Sequence, residues 1–272
     1  MRTGGLEMLR FSKDEVLKKI GSVKHWYHRI EVYPGILTPG INDCQTTLKL
    51  MKIPSDCRGM KVLDIGARDG FFSFEFEKRG ALVTAIDYVG KKDTGFAVAA
   101  EILDSKVDFR QDNIFNISRE KYGTYDIVLC LGLLYHLRDP MAALDICRSV
   151  CTNEFYLETQ IIDEAFLKND GNLVSIKSIA PILKDIPVMQ FYPGNSLNND
   201  YSNYWAPNFI CMEKMLIECG FTPVDKINRG TRAIFKSRIY DDTKVAYYRD
   251  IAKGTACPPS ESMWDGESKK RR

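Results

Sequence analysis

The feature that most constrains this chain is a short apolar run ending in a glycine turn, Lys61-Val62-Leu63-Asp64-Ile65-Gly66-Ala67-Arg68-Asp69-Gly70. The aliphatic residues through Ile65 read as a buried strand. Gly66 and Gly70 then let the backbone turn tightly and come close to a ligand. The spacing G-x-x-x-G, with an acid two residues before it, differs from the dinucleotide fingerprint G-x-G-x-x-G. A pyrophosphate needs exposed amides at a helix N-terminus, and Asp64 and Asp69 would repel it. The same two acids suit a cationic ligand. A nicotinamide dehydrogenase is therefore disfavoured.

The pattern around this run repeats. A helix is expected over Phe71–Arg79, a strand over Ala81–Asp87, a helix over 94–104 and a strand over Val107–Arg110. A strand over Asp126–Leu131, a helix over Pro140–Val150 and a strand over Glu154–Glu158 follow. Strands and helices alternating in this way imply parallel βαβ units with right-handed crossovers. The expected fold is thus α/β, a Rossmann-like, doubly wound and mostly parallel sheet, which binds ligands at the carboxyl ends of its strands. Two further strand ends carry acids. Asp87 stands about 20 residues after the turn, where a carboxylate can accept both ribose hydroxyls of a nucleoside. After the third strand comes Gln111-Asp112-Asn113-Ile114. There Asp112 is placed to accept from an adenine amino group while a neighbouring backbone amide reads the ring.

The flanks are organised differently. A helix is expected from Ser12 to His28, with Val16, Leu17 and Ile20 on one face, then a loop over Tyr33–Gly40 and a second helix over 43–53. Residues 1–55 read as a helical lid, 56–250 as the α/β domain and 251–272 as a flexible tail. The stretch 160–207 reads as an irregular insert placed to recognise substrate. A helix over 211–219 and strands over 222–228 and 231–237 close the domain. Charges nearly cancel at +2, so the composition has no nucleic-acid footprint. No apolar stretch approaches the roughly 20 residues of a spanning helix, and the first residues do not read as a secretory signal. The eight cysteines contain no C-x-x-C pair, so no metal site is expected. Reduced thiols, Cys130, Cys147, Cys151, Cys211 and Cys219 among them, imply a cytoplasmic protein.

With these residues in view, the chain resembles the class I S-adenosylmethionine-dependent methyltransferases over about residues 60–160. Asp126-Ile127-Val128-Leu129-Cys130-Leu131-Gly132-Leu133-Leu134-Tyr135-His136-Leu137 is similar to the post-strand motif of that superfamily. More narrowly, Pro140, Glu158-Thr159 and Trp205-Ala206-Pro207-Asn208 resemble the tRNA wobble-uridine carboxymethyltransferase group and its stand-alone relatives. So do Trp26-Tyr27-His28-Arg29-Ile30 and Thr38-Pro39-Gly40. The resemblance implies S-adenosylmethionine as cofactor and S-adenosylhomocysteine as product. The expected cofactor residues are Asp64, Gly66, Arg68, Gly70, Asp87, Tyr88, Asp112, Asn113, Ile114, Leu131 and Tyr135.

Methyl transfer from a sulfonium is an in-line displacement, which needs nucleophile and methyl carbon held in line in a dry pocket. His136, just past the fourth strand of the motif, is the expected general base. Glu158 and His28 are the other catalytic candidates. Glu158 is placed to bind a polar group or pair with an arginine, and His28 to line the site from the lid. Tyr27, Arg29, Tyr192, Tyr204 and Trp205 are the expected substrate residues. The expected reaction is O-methylation of a polar small molecule or a sugar-like natural product. The alternative is a tRNA wobble-uridine alkyltransferase, for which RNA is the partner.

Overall fold

The computed structural model describes residues 10–168, 170–176, 181–240 and 250. The tail expected over 251–272 lies outside the described residues. Five strands run parallel through the centre: β3 (Lys61–Ile65), β4 (Leu82–Asp87), β5 (Asp108–Gln111), β6 (Tyr125–Leu131) and β7 (Cys151–Gln160). A hairpin of β12 (Phe221–Asn228) and β13 (Arg232–Ile239) completes a seven-stranded sheet of order β12-β13-β7-β6-β3-β4-β5. β13 alone runs opposite to the other six strands. The strand order reverses between β3 and β6, so the crevice at their carboxyl ends is the ligand position of a doubly wound sheet.

Alternation along the strands explains the layers. Val62, Ile127 and Leu129 face one core, while Leu63, Ile65, Val128 and Cys130 face the other. Both faces are buried, as the continuous apolar runs of β3 and β6 require. The first core is closed by α3 (Phe71–Glu77), α4 (Phe96–Ile102) and the N-terminal elements α1 (Lys13–Gly21) and α2 (Gln45–Met51). The second is closed by α6 (Pro140–Val150) and α7 (Phe209–Glu218), with the short α5 (Arg119–Tyr122) beside them. Among the described residues, seven cysteines are free thiols, and all but Cys211 are buried.

The N-terminal region departs from the sequence expectation in two places. The helix stops at Gly21 rather than His28. Ser12 and Glu15 cap it with reciprocal bonds, but Trp26 folds back and its indole N–H donates to the Ile20 carbonyl at 3.1 Å. Beyond it the chain is extended, held by a bridge between His28 and Asn42. The Pro/Gly stretch is also more ordered than a loop. Glu31–Tyr33 (β1) pairs with Ile36–Leu37 (β2) across Pro34-Gly35, and Gly35 supplies the positive φ of 73° that such a turn needs.

The insert likewise has structure that its composition hid. Ala165–Leu167 (β8) pairs with Leu173–Ser175 (β9), and Met189–Phe191 (β10) pairs with Trp205–Pro207 (β11). Ile162, Tyr192 and Ala206 form a small core of their own beneath them.

Candidate active site

The glycine turn after β3 is built around two buried carboxylates. Asp64 is 2% exposed, and the Ser73 hydroxyl donates to it at 2.6 Å. Burial raises its carboxyl to about 6, against the Ser73 bond and with help from Asp87. Gly66 has φ 80°, and a Cβ there would meet the Leu133 side chain at 3.2 Å. Glycine therefore keeps the turn and lets Leu133 pack closely against it. Arg68 takes the left-handed φ of 51°, which turns its amide towards Asp87.

Asp87 ends β4 only 6% exposed. It accepts from the Arg68 amide and the Val89 amide, each at 2.9 Å. A carboxylate has about four lone-pair sites, so each oxygen keeps one for a ligand. Tyr88, next in the chain, is 70% exposed and offers a free ring face at the same edge.

Asp69 is a structural clamp. It is 1% exposed and accepts from Tyr27 and His28 amides at 2.7 Å each and from Gly95 at 2.8 Å. Three backbone bonds tie the N-terminal segment and the start of α4 to the glycine turn, so this acid is not available to a cationic ligand. Above the tie, the His28 ring packs 6.3 Å from Phe71 and 6.5 Å from Phe72. His28 is 6% exposed, and its Nδ1 is buried without a partner. Burial drives its imidazole down to about 4, so it is neutral near pH 7.

Asp112, which follows β5, is held within its own loop. Its carboxylate accepts from Lys121, from the Tyr122 hydroxyl and from Asn116 at 2.8 Å. These bonds, Lys121 first, hold it well below the usual carboxylate range. These bonds fasten the loop to α5. Asn113 is exposed beside it, and its Oδ1 caps the turn at the Phe115 amide. Ile114 is buried below.

On the other side of the crevice, Leu131-Gly132 ends β6 beside a charged cluster. Glu158, expected as a catalytic carboxylate, instead forms a two-pronged ion pair with Arg232, Nε to Oε1 at 2.6 Å and Nη2 to Oε2. The Arg232 guanidinium lies 4.8 Å from the Tyr135 ring centre. Burial raises the Tyr27 phenol, and Tyr135, Arg232, Cys44 and Glu158 are the titratable groups around it. Tyr27, Tyr135, Glu158 and Arg232 thus meet at one rim. Arg232 was missed in the sequence because it comes 74 residues after Glu158. Only the antiparallel register Arg232↔Gln160 places it diagonally across from that acid.

His136 is half-buried on the short turn Leu134–His136, its ring 4.2 Å from Tyr135. Its Nδ1 lies 2.9 Å from the Ser202 hydroxyl. Burial lowers its imidazole, while Asp200 and Ser202 oppose that shift. Around it stands the insert. The Tyr204 amide donates to the Tyr135 carbonyl at 2.9 Å, and the Trp205 indole N–H donates to Arg138 at 3.2 Å. Phe191, 51% exposed, lies against Trp205 at 4.9 Å. Two expected substrate residues are placed elsewhere. Tyr192 is 3% exposed in the insert's own core, and burial pushes its phenol up to about 12. Arg29 is an exposed neighbour of His28, and its amide holds Asn42.

An open, mostly parallel sheet with a glycine turn at its switch point and a buried acid ending the next strand defines a nucleoside-binding α/β enzyme. The chain belongs to the methyltransferase domain family, whose model matches residues 43–204. Among curated relatives, it is 36% identical over 93 residues to the ubiquinone biosynthesis O-methyltransferase of Azotobacter vinelandii. It is 37% identical over 90 residues to the enzyme of that name from Pseudomonas aeruginosa. The first match spans 34% of this chain and 40% of the relative, the second 33% and 38%. Among solved structures, it resembles the N-terminal domain of EvdMO1 in the presence of S-adenosylhomocysteine and D-fucose. That likeness has TM-score 0.57 and 16% identity, over 85% of this chain and 98% of that one. An O-methyltransferase family protein from Burkholderia thailandensis matches with TM-score 0.53 and 12% identity, over 73% and 56% of the two chains. Likeness at these identities is one of fold. No helix among the described residues is long and apolar enough to cross a membrane.

Proposed function

We propose that this chain is an S-adenosylmethionine-dependent O-methyltransferase acting on a polar, hydroxyl-bearing small molecule. The observation that carries the reading is Asp87, a buried carboxylate with an open lone pair on each oxygen at the carboxyl end of β4, next to the strand that carries the glycine turn. The site fits the cofactor in one further respect: His28 holds an orphaned buried Nδ1. When bound, S-adenosylmethionine supplies an electrophilic methyl carbon on a sulfonium.

The chain's own residues take these parts. Asp87 accepts from the ribose hydroxyls, and the Tyr88 ring offers a face to the adenine. Asn113 and the backbone at Ile114 take the adenine edge. Gly66, Gly70 and Arg68 shape the turn, and Asp64 beneath it favours positive charge. Leu131 and Tyr135 wall the crevice beside the Glu158–Arg232 pair. Tyr27 and His28 close it from the N-terminal segment, with residues 10–40 acting as a lid. Trp205, Tyr204 and Phe191 present aromatic surface to a flat ring or the C–H face of a sugar. His136 takes up the proton that the acceptor hydroxyl loses.

The curated relatives are named for O-methylation in ubiquinone biosynthesis, which favours a small acceptor over RNA. The test is transfer of labelled methyl from S-adenosylmethionine to a panel of sugars, phenols and RNA. General-base assistance is worth about 10²–10⁴ in rate, so His136→Ala lowers single-turnover transfer by about that factor. Transfer to RNA alone, or a variant within about threefold of the wild type where the larger loss is expected, refutes the reading.

A further inference from the structure

The insert carries a turn whose geometry is directed at His136. Asn198 and Asn199 are consecutive left-handed residues, with φ of 58° and 55°. Asparagine tolerates that region, though a pair of such residues still costs backbone energy. The turn is nailed down locally. The Asp200 amide donates to the Leu197 carbonyl at 3.2 Å, and the side chain of Asn203, itself 2% exposed, donates to the same carbonyl at 2.9 Å. What the turn presents is a chain of bonds. Asp200 Oδ1 accepts from the Ser202 amide at 2.8 Å and from the Ser202 hydroxyl at 2.6 Å. His136 Nδ1 then lies 2.9 Å from the Ser202 Oγ and 3.2 Å from the Ser202 carbonyl.

Hydrogen counting fixes the tautomer. A serine hydroxyl has one proton, and here it goes to Asp200. The Ser202 carbonyl can only accept. Both oxygens facing Nδ1 are therefore acceptors, and Nδ1 must carry the hydrogen. A neutral imidazole has one N–H, so Nε2 is left with a bare lone pair. The charged groups acting on the ring are Asp200 on the insert and Arg232 on β13, with the Tyr135 ring packed against it.

We propose that Asp200 and Ser202 are positioning residues that hold His136 in its Nδ1–H form and reserve Nε2 as the proton acceptor. The catalytic consequence rests on the reading of His136 as base; the tautomer itself does not. Asp200→Ala frees the Ser202 hydroxyl to donate to Nδ1, which shifts the ring towards the Nε2–H form. Adding Ser202→Ala leaves only the carbonyl before Nδ1 and restores the Nδ1–H form. A purely structural role for Asp200 predicts no such rescue.

The test is long-range ¹⁵N–¹H correlation NMR on the full chain labelled at histidine. The chain has three histidines, and His136→Gln assigns the signal. His25 and His28 serve as controls for folding. Expected are an Nδ1–H pattern in the wild type and in Ser202→Ala, conversion towards Nε2–H in Asp200→Ala, and reversal in the double variant. Loss of Asp200 also lowers the midpoint of the His136 titration, because its charge favours the protonated ring. An Nε2–H wild type, or an Asp200→Ala spectrum like that of the wild type, overturns the proposal. If His136→Ala keeps full methyl transfer while the tautomer pattern holds, the base reading fails and the positioning stands.

Discussion

Asp64 gives the account a quantitative handle. Its carboxyl sits at about 6 in the fold, against about 3.9 in an open chain. That gap corresponds to about 3 kcal/mol. The sign follows from linkage. The folded state holds this proton more tightly than the unfolded chain, so between about pH 4 and pH 6 it binds more protons and loses stability as pH rises. Above about pH 6 the full cost of the buried charge is present. Asp64→Asn keeps an acceptor for the Ser73 hydroxyl and replaces the carboxyl O–H by an amide N–H, but it cannot ionise. The variant should therefore match the wild type near pH 4 and exceed it by about 2–3 kcal/mol at pH 8. His28 works in the opposite direction, since its lowered imidazole costs stability as pH falls below about 6.5. Both proteins share that effect, so their difference at each pH isolates Asp64. Urea unfolding from pH 5 to pH 8 is the assay. Equal stabilities at pH 8, or a variant less stable there, would refute the argument. Saturating S-adenosylmethionine should narrow the pH 8 gap, because a cation beside the carboxylate offsets its burial.

Two other perturbations probe the packing around the site. A Cβ on Gly95 would lie 2.2 Å from the Trp26 ring. Gly95→Ala should thus cost about 1–3 kcal/mol and raise hydrogen exchange over residues 26–40, and unchanged exchange there would contradict the docking. Arg232→Met strands Glu158, whose side chain is 11% exposed, while Arg232 keeps 30%. The expected loss in a denaturation series is about 2–3 kcal/mol, below the roughly 3–5 of a fully buried pair. Changing both residues to Met should recover most of it, and simple addition of the two losses would exclude the coupling.

The sheet was legible in the sequence because its signals are local. The aliphatic runs of β3 and β6 and the glycine after β3 each occupy a few adjacent residues, and α6 begins at Pro140 behind an Asp139 cap. Asp87 was legible for the same reason, as the acid ending the next strand. What the sequence obscured depends on distant partners. Asp112 looks like Asp87 until α5 folds back and brings Lys121 and Tyr122 onto it. Tyr192 and Trp205 are both aromatic residues of one insert, and only the β10–β11 pairing buries the first and leaves the second part-exposed. Asp69 reads as a ligand for a cation, but the Tyr27, His28 and Gly95 amides donate to it. The Asp200–Ser202–His136 chain spans 66 residues between the histidine and the serine, with no local motif to announce it.

Asp87 is the residue proposed to hold the ribose of S-adenosylmethionine. Isothermal titration of the wild type with S-adenosylmethionine and S-adenosylhomocysteine tests it directly, with Asp87→Ala measured alongside and its fold checked by thermal melting. Hydrogen bonds to a charged group are worth about 1.5–3 kcal/mol. The wild type is therefore expected to bind both ligands, and a folded variant to lose roughly 10- to 150-fold in affinity. No binding by the wild type, or equal affinity in the two proteins, would contradict it.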